Sequence, residues 1–290
     1  MNKKVQAIFT ALLLLVLALP ATAHADAKPG DVIVTLGKDL TIEQKENVLN
    51  QMKVNENEVE IVYVTNEEEH KYLGDYISDE KIGTHAISSA KITLAEEGAG
   101  LNVKTNNITY VTEAMYANAL MTAGIHDADI FVTAPFKVSG TAGLTGILKA
   151  YDVKTDLKLT EDQKKVANEE LVKTAELGED IGKDKAAQLI TKIKQALADH
   201  PVESKEDLRE LIDKAAKDLN VQLTDEQMNQ LLTLFDHIKN LDIDWSQLKN
   251  ELNDMSEQLN QFLSDEDTQS FFKKVLQAIG SLIDQIRSWF

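Results

Sequence analysis

The chain has 290 residues, no cysteine and a strong acidic excess, since 30 Lys and Arg stand against 48 Asp and Glu for a formal net charge of −18. This charge excludes nucleic acid as a partner, because polyanion binding depends on basic side chains that release counterions. A hydrophobic content of 43% is typical of a folded protein. Without disulfides, its stability must come from an apolar core.

Residues 1–25 are predicted to form a cleavable signal peptide. Lys3 and Lys4 precede an uncharged stretch at residues 5–19, and small alanines come just before Asp26. The uncharged stretch is shorter than the ~20 residues that a membrane span needs. A retained membrane anchor is the alternative. Cleavage would remove both lysines and take the formal charge from −18 to −20. From the signal peptide we expect a secreted protein, either released or associated with the cell envelope.

Residues 26–155 alternate short β-branched runs with amphipathic segments, which predicts an α/β domain with a mixed sheet. In chain order we expect a strand at 32–36, a helix at 41–52, strands at 59–64, 88–94 and 101–105, a helix at 112–123, a strand at 129–134 and a helix at 143–151. Pro135 is expected to end the strand before it. Two helix–strand units, beginning at Thr41 and Thr112, resemble each other weakly. An internal repeat and chance similarity both stay open.

Residues 156–290 show only helical periodicity, which predicts an all-α bundle or hairpin. Apolar side chains recur every three or four positions in five stretches, at residues 186–197, 208–219, 228–238, 245–262 and 272–290. Thr160 and Thr224 each begin a capping box, as Thr41 does in the first half.

A glycine-rich loop is the densest candidate for a site, and it runs from Ser139 to Gly146. It follows a predicted strand and opens a helix, where free backbone N–H groups can bind an anion. The predicted anion-binding residues are Lys137, Ser139, Gly140, Thr141 and Gly143. The loop matches neither a Walker motif nor a dinucleotide fingerprint. The alternative is that its small residues let a helix pack closely on the sheet.

No catalytic motif stands out, so the catalytic residues are unknown and a non-enzymatic binding protein is the leading hypothesis. There is no G-x-S-x-G nucleophile elbow. The alternative is a hydrolase or transferase that acts on envelope material from the glycine-rich loop. That alternative requires one cleft to hold Ser139, Thr141, His85 and His126.

We expect no cofactor and no metal site. Residues 67–70, Glu-Glu-Glu-His, contain metal-ligand types without a recognised spacing. We interpret this run as a solvated acidic face.

The last predicted helix, at residues 271–290, differs from the rest of the acidic chain. Lys273, Lys274 and Arg287 outweigh Asp284. Its apolar stripe contains Phe272, Leu276, Ile279, Ile283, Ile286, Trp289 and Phe290. A basic amphipathic helix can lie on a membrane surface, which would give peripheral contact. We favour packing against the helix at 245–262 instead, and self-association through these helices is a further alternative.

Several segments resemble the YpuA-type exported proteins of Bacillus and its relatives. They are ITYVT at 108–112, MYANAL at 115–120, VSGTAGLTGI at 138–147, ELGEDIG at 176–182 and LDIDW at 241–245. The resemblance covers nearly the whole mature chain. It implies export and that both halves belong together. Because the family is defined as a domain of unknown function, it implies no activity, cofactor or catalytic residue. The partner is therefore expected to be an unknown envelope component or protein.

Overall fold

The computed structural model of the protein describes residues 27–253, except 201 and 203. The predicted signal peptide and the last predicted helix lie outside the described residues. The strands are β1 (Val32–Gly37), β2 (Glu60–Val64), β3 (Ser89–Leu94), β4 (Leu101–Ile108) and β5 (Ala128–Val138). The helices are α1 (Ile42–Met52), α2 (Asn66–Leu73), α3 (Asp79–Ile82), α4 (Glu113–Thr122), α5 (Thr141–Lys154), α6 (Glu161–Ile181), α7 (Lys183–Asp199), α8 (Lys205–Asp218) and α9 (Asp225–Lys239), with a 3₁₀ turn at Glu56–Glu58. Residues 245–253 are also helical.

The five strands form one mixed sheet in the order β2-β1-β3-β5-β4, which confirms the predicted α/β class. β1 pairs with β2, and β4 with β5, in parallel, whereas β3 runs antiparallel to both of its neighbours. The other four strands therefore share one direction, and their carboxyl ends meet at one edge of the sheet. In open α/β sheets that edge is where ligands bind.

Helices cover both faces of this sheet. α1 packs Val48, Leu49 and Met52 against Val34 and Leu36 on one face. On the other face, α4 and α5 contact the strands and contribute to the largest apolar core. The units β1-α1-β2 and β4-α4-β5 thus share a topology but place their helices on opposite faces. Whether they are copies of one repeat stays a prediction.

Two features of the first half differ from the predicted elements. β5 does not end at Pro135 but continues to Val138. β3 pairs with β5 only as far as Thr133, and the β4–β5 register is irregular between Asn106 and Ile108, so the missing proline N–H breaks no regular ladder there. In addition, α2 and α3 occupy a stretch where no helix was predicted.

The helices α6 to α9 lie where helical periodicity predicts them, and capping boxes are present at Thr41, Thr160 and Thr224. Leu171 and Ala175 of α6 join the core beneath the sheet, while a second core holds the side chains between α7, α8 and α9. The predicted bundle and the boundary at residue 155 stay predictions, because residues beyond 253 lie outside the described part.

No helix within residues 27–253 combines the length and apolar character that crossing a membrane requires.

Candidate functional site

A cleft of about 590 Å³ opens at the carboxyl edge of the parallel strands. Its walls come from the ends of β1 and β5, the segment between α3 and β3, and helix α2. The polar lining consists mainly of Asp39, Glu69, Lys81, His85, Ser88, Ser139 and Thr141. The topology alone places these residues together, since they are spread over about a hundred positions of the sequence.

Glu69 forms part of the cleft lining and is only 1% exposed. Its Oε1 accepts a hydrogen bond from the Thr141 hydroxyl at 3.1 Å, and its Oε2 accepts one from the Asn66 side-chain amide at 3.4 Å. None of the ion pairs among the described residues includes Glu69. Burial therefore raises the pKa of Glu69 to about 7. Near neutral pH this carboxyl group can either accept or donate a hydrogen bond.

The hydroxyls beside Glu69 form a short chain. Ser139 Oγ lies 3.2 Å from Thr141 Oγ1, and Thr141 in turn donates to Glu69. Thr141 sits at the first position of α5 and is 1% exposed. The chain thus ends on a carboxyl group, and the cleft offers oxygen atoms to a ligand.

The charged groups around the cleft also favour a ligand that donates hydrogen bonds. Lys81 Nζ lies 3.2 Å from Glu179, outside the cleft lining. Asp39 accepts the backbone N–H of Ala86 at 2.7 Å, which leaves its other oxygen for a ligand. An anion would meet two carboxyl groups, those of Asp39 and Glu69, and one lysine that is already paired.

Of the five predicted anion-binding residues, only the hydroxyl residues Ser139 and Thr141 line the cleft. Lys137 is exposed on β5 and does not contribute to the lining. Gly140 has a φ of +104°, and a Cβ there would lie 2.4 Å from Ile108 Cγ2. A Cβ at Gly143 would lie 2.7 Å from the Tyr116 hydroxyl. These glycines therefore permit close packing of α5 on the sheet, and anion binding stays a prediction.

The histidines do not pair with the serines. His85 lines the cleft, but its Nδ1 lies 2.8 Å from the hydroxyl of its neighbour Thr84. His126 precedes β5 at the opposite edge of the sheet, with its Nδ1 2.7 Å from Glu251. Across the part of the chain that the structure describes, no hydrogen bond joins Ser88 or Ser139 to a histidine. Three of the four residues that the catalytic alternative requires therefore share the cleft, without the geometry of a serine–histidine pair.

Glu69 is the residue that sequence reasoning missed. The interpretation of residues 67–70 as a solvated acidic face is wrong for Glu69, which is buried, although Glu67 is exposed. Thr65 and Glu68 form a capping box at the start of α2. With that helix assigned, the four-residue spacing of Glu69 and Leu73 would have placed both on one buried face.

No group of three or more His, Asp or Glu side chains in the described part of the chain is arranged to hold a metal ion.

Comparison with known proteins adds a family but no activity. Residues 36–255 match the family described as "Protein of unknown function (DUF1002)". The uncharacterized protein YpuA of Bacillus subtilis (strain 168) is 49% identical over 289 residues, which cover 99% of this chain and 99% of the relative. No solved structure matches the chain significantly.

Proposed function

The chain belongs to the DUF1002 family of proteins of unknown function, as the sequence resemblance indicated, and we propose that it is an exported, non-enzymatic protein that binds a hydroxyl-rich ligand of the cell envelope. The ligand enters the cleft at the carboxyl edge of the sheet. The observation that carries the proposal is Glu69, a buried carboxyl group without a cationic partner among the described residues.

A buried polar group costs folding free energy unless it is hydrogen-bonded, and such groups recur where a protein binds something. Glu69 has two weak donors, one of them at 3.4 Å. A ligand hydroxyl would donate a hydrogen bond to the carboxyl oxygens of Glu69 or to the hydroxyl oxygens of Ser139 and Thr141.

The rim of the cleft is suited to a ring-shaped ligand. Phe136 lines the cleft and is 49% exposed. Its ring offers a flat apolar face beside a group of oxygen acceptors. A sugar ring has the complementary surfaces, with hydroxyl donors at its edge and C–H groups on its faces. We therefore propose a sugar unit as the ligand class.

The proposed location rests on the predicted signal peptide and on the family resemblance. N-terminal sequencing of the protein from growing cells tests it. We expect a chain that begins at Asp26 in the culture medium or the envelope fraction. Recovery of a chain that begins at Met1 from the cytosol would contradict export.

Ligand binding is tested with the mature chain, residues 26–290, by NMR titration with N-acetylglucosamine. We expect saturable shifts of the Ser139 and Thr141 amides and at least about tenfold weaker binding in Glu69→Gln, equivalent to about 1.4 kcal/mol. Glu68→Gln is the matched control, because Glu68 lies on the same helix and does not line this cleft. Equal affinity in Glu69→Gln would contradict the proposal, and so would saturable binding of inorganic phosphate at the same amides, which would favour the predicted anion site.

A hydrolase or transferase is the second candidate, because the Ser139–Thr141–Glu69 chain connects a hydroxyl to a carboxyl group whose pKa of about 7 suits a general base. Ester turnover with p-nitrophenyl acetate separates the two candidates. The binding proposal predicts background hydrolysis in the wild type and no further decrease in Ser139→Ala. Hydrolysis above background that Ser139→Ala abolishes would favour the enzyme.

A further inference from the structure

A second cavity, of about 260 Å³, lies between α2, α5 and α6 and contains two buried polar atoms without hydrogen-bond partners among the described residues. They are Thr145 Oγ1 and Asn168 Oδ1, on residues that are 2% and 0% exposed. The Asn168 amide group already donates to the carbonyl oxygen of Lys164 at 2.7 Å, so its Oδ1 is left to accept. Because buried acceptors are normally hydrogen-bonded, this wall lacks a donor.

The mouth of this cavity carries charges of both signs. Glu68, Asp152 and Glu161 line it together with Lys149 and Lys164. All of these groups are paired in the described structure, and Glu161 also pairs with Lys71 at 2.9 Å. Lys164 Nζ lies 2.7 Å from Glu161 and 3.1 Å from Asp152, and Lys149 pairs with Glu68.

The remaining wall consists of Leu148, Val153 and Tyr72, whose hydroxyl donates to Glu161 at 3.3 Å. Leu148 is 2% exposed and Val153 lines the outer part of the cavity. A ligand here would need hydrogen-bond donors at its inner end, a net positive or neutral charge, and a short carbon stem.

We propose that this cavity binds the primary ammonium group of a small aliphatic amine. An ammonium group has three donors and no acceptor, which matches Asn168 Oδ1, Thr145 Oγ1 and the nearby carboxylates. A carboxylate ligand has no donor to offer to Asn168 Oδ1. The site is independent of the sugar cleft. The two lie on either side of the contact between α2 and α5, where Glu68 faces this cavity and Glu69 faces the cleft.

An isosteric series tests the class of ligand. The mature chain is titrated with n-propylammonium, propan-1-ol and propionate, and the side-chain amide resonance of Asn168 is followed by NMR. We expect saturable shifts with n-propylammonium, at least about tenfold weaker binding of the alcohol, and none with propionate. Equal binding of the alcohol and the amine would overturn the proposal, as would the absence of any saturable shift, which would leave a cavity filled by water alone.

Thr145→Val removes one acceptor and keeps the shape of the side chain. Because the hydroxyl has no hydrogen-bond partner within residues 27–253 as described, we expect an unfolding midpoint at least as high as that of the wild type, together with about fivefold weaker n-propylammonium binding. Thr174→Val is the matched control, since the Thr174 hydroxyl donates within α6 to Glu170 O and does not line the cavity. Unchanged amine affinity in Thr145→Val would overturn the assignment. Glu69→Gln should leave amine binding intact, so failure of the sugar proposal and failure of this one are distinguishable.

Discussion

Glu69 and Glu170, two of the three buried glutamates among the described residues, lie in neighbouring parts of the fold and have different partners. Glu170 is fully buried and has Lys194 Nζ 2.6 Å from its Oε1 and the Thr122 hydroxyl 2.5 Å from its Oε2. Lys194 also donates to the carbonyl oxygen of Asn118 at 2.8 Å. Glu69 is almost as buried, but its hydrogen-bond partners among the described residues are a hydroxyl and an amide.

We interpret this difference as one between a structural group and the proposed binding group. The Glu170–Lys194 pair is closed to solvent and joins α6 to α7, with donors and acceptors from α4, so it fixes three helices relative to each other. Burial lowers the pKa of Lys194, and Glu170 opposes that change. Glu69 faces a cleft that a ligand can enter. A fully paired buried group orders the fold, and we infer that a buried carboxyl group whose donors among the described residues are neutral is available for recognition.

The largest expected effect comes from breaking the closed pair. Lys194→Met would leave Glu170 buried without its cation, and we expect a loss of about 3–5 kcal/mol in the free energy of unfolding. Urea denaturation at pH 7 measures it. The double variant Lys194→Met with Glu170→Leu should recover most of the loss, because both charges are then gone. A loss below about 1 kcal/mol in the single variant would contradict a structural role for the pair.

The carboxyl group of Glu69 should make the stability of the protein depend on pH. Its pKa is about 7 in the folded protein against 4.5 ordinarily, so the folded state holds a proton that the unfolded state has lost between these values. The contribution of protonated Glu69 to the free energy of unfolding is therefore fully present below pH 4.5. It decreases by roughly 3 kcal/mol as the pH rises to 7. We expect Glu69→Gln to lose this component when unfolding is compared at pH 5 and pH 8. An identical pH dependence in the variant and the wild type would count against a raised pKa.

Two threonine-to-valine variants compare the hydrogen bonds that Glu170 and Glu69 accept. Thr122→Val deletes the 2.5 Å hydrogen bond to Glu170 and should cost roughly 2 kcal/mol, since that bond goes to a charged group. Thr141→Val deletes the 3.1 Å bond to Glu69, and at pH 5, where Glu69 is protonated, we expect roughly 1 kcal/mol. Chemical denaturation of both variants measures the difference. A larger loss for Thr141→Val at pH 5 would reverse the assignment of the two groups.

The smallest effect is expected one residue away from Glu69. Glu68 pairs with Lys149 where both side chains are about one-third exposed, and exposed pairs contribute about 0–1 kcal/mol. Glu68→Gln keeps the capping box, because Gln serves at that position as well as Glu. A change in the free energy of unfolding above about 1.5 kcal/mol would contradict the distinction between a partly exposed Glu68 that contributes little and a buried Glu69 that contributes more.

Local signals predicted much of the fold. Alternation of β-branched residues located all five strands, and threonine capping boxes located the starts of α1, α6 and α9. Strand order and direction were not available from periodicity. They depend on contacts between distant segments, such as the pairing of β3 with both β1 and β5.

The candidate site was predicted only in part, for the same reason. Ser139 and Thr141 were found because a glycine-rich turn after a strand is a local pattern. Glu69 was missed because its burial comes from α5, which lies some seventy residues further along the chain and places Thr141 against it. Glu69 and the exposed Glu67, two positions earlier, differ only in the face of helix α2 on which they lie. That helix was not predicted from the sequence.

The central claim concerns the carboxyl group of Glu69, and a direct titration tests it. The ¹³Cδ resonance of Glu69, assigned by its disappearance in Glu69→Gln, is followed by NMR between pH 4 and pH 9 with and without N-acetylglucosamine. We predict a pKa of about 7 in the free protein, which shifts when the sugar is added. A pKa near 4.5, with or without the sugar, would mean that the group is solvated or paired, and would contradict its role in binding.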